Sequence, residues 1–458
     1  MHPNPPPPHP PAARALALDI LAAAAKRSRS VEDLLAATLK RHPDLPRPER
    51  ALLLELVQGV KRWEIYLDYL LSQLSHIPLA KLHPLVLQLL RLGAFQVLKL
   101  DRVPVRAAVH EAGKLAKAKG LPQSHVGFIN AVLRRLAAGE IPPLPDPAAD
   151  PVLALSVTHS HPAWLVRRWL PRYGPRSTAA RLAANNQIPP LTVRVNTLKI
   201  DPPTLMARLA AEGVTARLAR FSPVGLVFEA LKTSPPDLPS YRQGLWRFQD
   251  EAAQLVTYLL PVAPGLRLGE IGAGRGGKTT QLAEVMANSG LLAAIDNHPP
   301  RLWELLMNLR RWGVEVAQPL RADAASALPL KTASLDAVVL DAPCSALGIL
   351  RRHPEIKSRL REGDLAAFPP RQAAMLAEAA RLVKPGGHLL YITCTTEPEE
   401  NEAQIDSFLA RHPEFHLATD SGRLPPPARD LVNPPGFFRT SPADHNLDGF
   451  FAALLARA

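Results

Sequence analysis

The stretch Leu268-Gly-Glu-Ile-Gly-Ala-Gly-Arg-Gly-Gly-Lys-Thr-Thr280, LGEIGAGRGGKTT, joins a short apolar run to a helix-forming one through a glycine-rich turn. Gly272, Gly274, Gly276 and Gly277 allow the main chain to come close to a ligand, with Ala273 and Arg275 between them. The N-terminus of the following helix presents free N–H groups that favour a carboxylate or a phosphate, and Lys278 adds a positive charge there. A plain tight turn is the simpler reading of one such loop. It is not a P-loop, because the four-residue spacing between glycines ahead of Gly-Lys-Thr is absent.

The surrounding sequence places this turn in a larger pattern. From residue 248 onward, strand-like runs (LRLGEI, LLAAID, VEVAQPL, LDAVVLD, GHLLYITC and GFFAALLA) alternate with helical ones (TTQLAEVMAN, PRLWELLMNLRRWG, PRQAAMLAEAARLV). Alternation of this kind predicts an α/β, Rossmann-like domain with a parallel sheet covered on both faces. Ligands of such sheets bind beyond the carboxyl ends of the strands. The second strand ends at Asp296, suited to accepting hydrogen bonds from ribose hydroxyls, or simply to capping a helix. The third ends near Asp323, which could accept from an adenine amino group, although Asp is also common in loops. Turn and acids together suggest an adenosine-containing ligand, with NAD and S-adenosylmethionine both open.

The chain has only two cysteines. Cys344 lies in VVLDAPCSALG (338–348), after the fourth strand, and Cys394 in LLYITCT (389–395), after the fifth. A lone free cysteine is more often a small buried apolar residue than a nucleophile. Two of them, both at functional strand ends and nowhere else, point to thiol chemistry and away from a dehydrogenase. Without metal-ligand spacing or further cysteines, a disulfide framework or a metal site is not expected.

Ahead of this domain, residues 13–137 read as all-helical, with GFINAVLRRLAAG as the last helix. Residues 141–151, IPPLPDPAADP, form a proline-dense linker. Residues 152–247 read as a small α+β unit built around LTVRVNTL and GLVFEAL. The proline-rich start, residues 1–12, is expected to be disordered and is no secretory signal. No uncharged apolar run is long enough for a membrane span, and a cytoplasmic location is expected.

The charge is uneven. Residues 1–150 carry 20 Lys and Arg against 13 Asp and Glu, residues 151–240 carry 11 against 4, and residues 241–458 carry 23 against 24. The whole basic excess of the +13 chain therefore precedes the α/β domain. A polyanionic partner such as a nucleic acid is one reading, and a merely soluble basic surface the other.

LDAPCSALGILRRHPEIK and LVKPGGHLLYITCTTEPEEN closely resemble the two cysteine motifs of the RNA cytosine-C5 methyltransferases. FQDEAAQLV (248–256), RVN (194–196) and DGFFAALLAR (448–457) resemble further segments of that family. The helical start resembles the NusB-like RNA-binding domain of its bacterial ribosomal RNA branch. The resemblance covers nearly the whole chain after residue 13. It implies a NusB-like domain over 13–140, a small RNA-binding subdomain over 152–247, and an S-adenosylmethionine-dependent methyltransferase domain over 248–458. It further implies RNA, small-subunit ribosomal RNA in particular, as partner, and a monomer without metal. One departure is clear: the family turn usually reads D-x-C-A-A-P-G-G-K-T, whereas here Gly272 replaces the usual Cys and Arg275 the usual Pro.

By the same resemblance, Cys394 is the nucleophile and Cys344 assists release. Cytosine C5 is a poor nucleophile until a thiolate adds to C6, which predicts a Cys394 thiol made acidic by nearby positive charge or by the reaction partner. Asp341 is expected to hold the methionyl end of the cofactor or the cytosine, with Gly272 to Lys278, Asp296 and Asp323 completing the cofactor site. Arg351, Arg352 and His353 either grip phosphates or form a solvated turn. An amino-group methyltransferase would want an aromatic residue that DAPCS lacks. Transfer RNA as substrate and a non-catalytic RNA-binding factor remain the competing readings.

Overall fold

The computed structural model describes residues 13–26 and 30–458; the expected proline-rich tail, residues 1–12, lies outside them. The chain forms two compact units, residues up to Gln187 with Leu350–Glu362, and Ile188–Ile349 with Gly363–Ala458.

The first unit is helical: α1 (Ala13–Ala25), α2 (Val31–Arg41), α3 (Arg47–Leu74), α4 (Pro84–Lys99), α5 (Val105–Ala118), α6 (Gln123–Ala137), α7 (Pro151–Thr158) and α8 (Ala163–Ala184). Local chemistry marks the ends. Ser30 caps α2 by accepting from the Asp33 N–H at 3.0 Å, Glu32 and Asp33 occupy the first turn and Lys40 and Arg41 the last, matching the helix dipole at both ends. Leu53, Leu56, Val57, Val60, Leu67 and Leu71 of α3 recur at helical spacing and are fully buried in the bundle core. Residues 350–362 belong to this unit. The Arg62 guanidinium donates to the Arg351 carbonyl at 2.8 Å. The Lys357 ammonium donates to Asn186 Oδ1 at 2.5 Å and to the Arg62 carbonyl at 3.2 Å. Burial, and then Arg62, push Lys357 well below the usual lysine value.

The second unit holds two sheets. In the smaller, β1 (Leu191–Val195), β2 (Thr215–Leu218), β3 (Gly225–Ala230) and β4 (Trp246–Phe248) lie antiparallel in the order β2-β3-β1-β4, with α9 (Pro202–Ala211) between β1 and β2. The larger contains β5 (Arg267–Ile271), β6 (Leu291–Asp296), β7 (Ala317–Arg321), β8 (Leu335–Asp341), β9 (Val383–Thr393), β10 (Phe415–Leu417), β11 (Val432–Asn433), β12 (Phe437–Arg439) and β13 (Phe451–Arg457). Its order is β11-β12-β13-β9-β8-β5-β6-β7, with β10 paired to β13.

β5 to β9 are mutually parallel, as their alternation with α10 (Gly277–Val285), α11 (Pro299–Trp312) and α12 (Phe368–Leu382) requires. The apolar side chains split by parity between two cores. Leu268, Leu292, Val339 and Leu390 face one side, and Ile271, Ile295, Val338 and Leu389 the other, so both faces are covered. The final strands depart from the all-parallel expectation. β13 runs antiparallel to β9, and β11 to β12, which are joined by only Pro434–Gly436. So short a link cannot carry a parallel crossover. β6 and β7 follow β5 on one side, while β8 and β9 lie on the other. The order reverses between β5 and β8, where such sheets open a ligand crevice at their carboxyl ends. Among the described residues no helix is long and apolar enough to cross a membrane.

Candidate active site

At that reversal lies a cavity of about 320 Å³, lined by Gly272, Gly274, Asp296, Asp323, Asp341 and both cysteines, among others. They come from the carboxyl ends of five strands, β5 to β9.

The glycine-rich turn leaves β5 with Gly272 at φ 81°, Gly274 at φ 54° and Gly276 at φ 81°, all in the left-handed region. At Gly272 a Cβ would also fall 2.4 Å from the Asp341 carbonyl oxygen, so a side chain there would separate β5 from β8. Asp296 closes β6 and shapes the turn, accepting from Gly274 N at 2.9 Å and from His298 N at 2.8 Å. Each of its oxygens keeps a second lone pair for a ligand hydroxyl. Asp323, half exposed, lies 3.8 Å from Arg371 across the cavity wall.

Not every residue of the turn faces the cavity. Arg275 Nε meets Glu304 at 2.5 Å, and the Arg275 carbonyl accepts from Asn308 at 3.0 Å. Ala273 is buried, Gly276 caps α10, and Gly277 opens it. Two buried guanidiniums hold this corner: Arg247 donates to the Gly276 carbonyl at 2.7 Å and Arg194 to the Gly277 carbonyl at 2.6 Å. Arg194 also pairs with Glu284 at 3.0 Å. Arg194 belongs to the RVN segment, but its grip on the turn was not readable from that triplet.

Lys278 points back under the turn. Its ammonium donates to Asp341 Oδ2 at 2.7 Å. Burial works against the charge, yet Asp341 and then Glu270 outweigh it and raise the Lys278 pKa. Glu270, in β5, is buried with Oε2 unpartnered. Burial pushes its carboxyl up to about 7, against the opposing pull of Thr279 and Lys278.

Cys344 and Cys394 meet at the ends of the adjacent strands β8 and β9, with their sulfurs 3.3 Å apart. The Cys344 thiol, then burial, push Cys394 well above the ordinary thiol value, and only Lys278 pulls the other way. Of the two expected sources of acidity, nearby charge does not lower the resting thiol, since Lys278 is already engaged by Asp341.

A buried carboxylate ties the two cysteine loops together, and sequence reasoning missed it. Glu400 Oε2 accepts from Ser345 N at 2.9 Å and from Gln372 Nε2 at 3.0 Å. Its Oε1 accepts from the Ser345 hydroxyl at 2.5 Å and from Thr395 Oγ1 at 3.3 Å. Ser345 follows Cys344 and Thr395 follows Cys394, so one side chain sets both. The run Thr395–Asn401 contains three glutamates, and nothing in it shows that Glu400 is the one turned towards both loops. Of the basic residues after the first cysteine motif, Arg351 is 1% exposed, which fits neither a phosphate grip nor a solvated turn. His353 lies 3.7 Å from Glu355.

The chain is similar to known proteins along nearly its whole length. Residues 258–456 match the family model for the 16S rRNA methyltransferase RsmB/F, residues 11–138 the NusB family, and residues 161–232 the ferredoxin-like domain of RsmF/B-like methyltransferases. A Synechocystis protein named "Probable ribosomal RNA small subunit methyltransferase B" is 34% identical over 97% of this chain and 99% of its own. A Pseudomonas putida protein named "Ribosomal RNA small subunit methyltransferase B" is 35% identical over 97% and 98%. The crystal structure of PH0851 superposes with a TM-score of 0.80 at 26% identity, over 97% of this chain and 98% of that one.

Proposed function

The chain belongs to the ribosomal RNA small subunit methyltransferase B family, and on that premise we propose that it methylates C5 of a cytosine in 16S ribosomal RNA. The observation that carries this reading is the pair of thiols 3.3 Å apart in a cavity that also contains Asp296, Asp323 and Asp341. Amino-group transfer has no use for a thiol, and hydride transfer has no use for two.

The residues present suit S-adenosylmethionine, which when bound supplies an electrophilic methyl group. Asp296 offers spare lone pairs to ribose hydroxyls, Asp323 an acceptor for the adenine amino group, and Gly272 and Gly274 an open main-chain edge. Asp341, carrying the Lys278 ammonium, is placed for the charged methionyl end or for the cytosine amino group. Gly276, Gly277, Ala273 and Arg275 act through the shape of the turn.

The Cys394 sulfur adds to cytosine C6, and C5 gains enamine character and accepts the methyl group. Because Cys394 rests as a thiol, its proton passes to N3 of the docked cytosine as the sulfur adds to C6, with Lys278 the group that favours the thiolate. After transfer, a base removes the C5 proton and the C6–sulfur bond breaks, with Cys344 the group beside it that assists release. The target base must leave its stack to reach a sulfur at the floor of a cavity. The protein acts as a cytoplasmic monomer, with residues 13–140 as an RNA-binding bundle.

Bisulfite sequencing of ribosomal and transfer RNA from cells with and without the gene tests the reading. One 16S cytosine is expected to lose its methyl group in the deletion. A change confined to transfer RNA, or no change at all, overturns the assignment.

A further inference from the structure

The helical unit carries a groove of about 520 Å³ between α5 and α6, lined by Arg106, His110, Lys114, Lys117, Asn130 and Arg134, among others. The first four succeed one another at spacings of four, four and three residues, so they form one stripe along α5. Asn130 and Arg134, four apart on α6, face it. Arg106, His110, Lys114, Lys117 and Arg134 are all exposed. No acid lines the groove. Glu111 stands on its flank, 3.6 Å from His110 and 3.9 Å from Lys114, and an exposed pair of that length neutralises little.

Like charges three or four residues apart on a helix repel one another and weaken it. The bundle keeps Lys114 and Lys117 three apart on α5 with Arg134 across the groove, and no acid among its described lining residues. Among the described residues Asn130 has no hydrogen-bond partner for its amide, leaving a neutral donor amid the cations. An external polyanion relieves this repulsion. Spaced cations along a groove match a phosphate backbone, where each contact releases a counterion.

We propose that the α5–α6 groove is the surface on which this protein holds the sugar-phosphate backbone of its substrate RNA. The proposal rests on the RNA-methyltransferase reading and adds where the RNA is gripped outside the thiol cavity. The groove sets affinity and not chemistry, since none of its residues lines the thiol cavity.

The test is the full-length Lys114→Gln/Lys117→Gln double variant, whose sites are exposed and outside the core. The probe is unmodified 16S ribosomal RNA transcribed in vitro, used in filter binding over a salt series and in methylation kinetics. The double variant is expected to bind about tenfold more weakly near 0.15 M salt. Its log-affinity against log-salt slope should fall by about 2, one per phosphate contact removed. KM for RNA should rise with kcat and cofactor binding unchanged. Arg41→Gln/Arg102→Gln, the same charge change elsewhere on this unit, should have a much smaller effect. RNA binding and salt slope equal to those of the parent overturn the proposal and leave the groove to an acidic protein surface. An equal loss in the control pair overturns it too, by showing a general charge effect. If the parent binds RNA through this groove but methylates no RNA, the enzymatic reading fails while the groove stands.

Discussion

In the resting chain Cys394 keeps its proton, because Cys344 and burial both disfavour the thiolate. The division of labour between the two sulfurs is separable by substitution. Cys394→Ala should abolish methyl transfer while S-adenosylhomocysteine still binds by calorimetry. Cys344→Ala should trap RNA on the protein as a band that survives denaturing electrophoresis, and free turnover by this variant would contradict its role in release. Glu270 gives a prediction about pH. Its folded-state carboxyl is raised from 4.5 to about 7, so it favours the folded state in its protonated form. That contribution is complete below about 4.5 and is lost as the pH rises through about 7. Glu270→Gln should therefore be more stable than the parent at pH 8, by up to about 3 kcal/mol, with the gap closing towards pH 5. Denaturant midpoints at the two pH values measure it. That Asp296, Asp341 and both cysteines share one cavity was legible because each ends or closely follows a strand of recognisable pattern. Glu400 was not, because its role depends on which way a turn rotates.

Among the elements, the junction of β8 with β9 carries the geometry of the thiol pair. The main chain after Cys344 crosses that after Cys394 closely: Gly348 N donates to the Cys394 carbonyl at 2.9 Å, and Gly449 N to the Gly348 carbonyl at 2.7 Å. A Cβ at 348 would lie 2.0 Å from the Gly449 oxygen and 2.8 Å from that of Cys394. Gly348→Ala should push these segments apart and cost about 1–3 kcal/mol of stability. Its kcat should fall more than its cofactor affinity, since Asp296 and the glycine-rich turn are untouched. Steady-state kinetics beside cofactor titration distinguish this from general unfolding. The parallel strands were readable because buried runs such as LLAAID and LDAVVLD alternate with helices. The direction of β13 was not, since GFFAALLA has the same composition whichever way it runs. What decides it is its antiparallel pairing with β9 and β12, and the anchoring of the turn by Arg194 and Arg247 likewise depends on segments distant in sequence.

For the whole molecule, charge separates recognition from chemistry. The basic excess lies within the first 240 residues, while residues 241–458 are near neutral. RNA affinity should therefore fall steeply with added salt while affinity for the cofactor, held at a nearly neutral cavity, changes little. Parallel titrations at 50 and 200 mM salt test this, and equal sensitivity would refute it. The bundle, the small sheet and the α/β domain were legible from periodicity. Nothing in LRRHPEIKSRLRE marks residues 350–362 as part of the helical unit, because their place depends on Lys357 reaching the Arg62 carbonyl and Asn186. That detour has a consequence for biosynthesis. A nascent bundle lacks its last piece until about 360 residues have been translated and the sequence past Glu362 has left the exit tunnel. The segment that begins first is finished late, so its maturation is tied to synthesis of most of the catalytic portion, and neither part is a cassette that recombination could exchange whole.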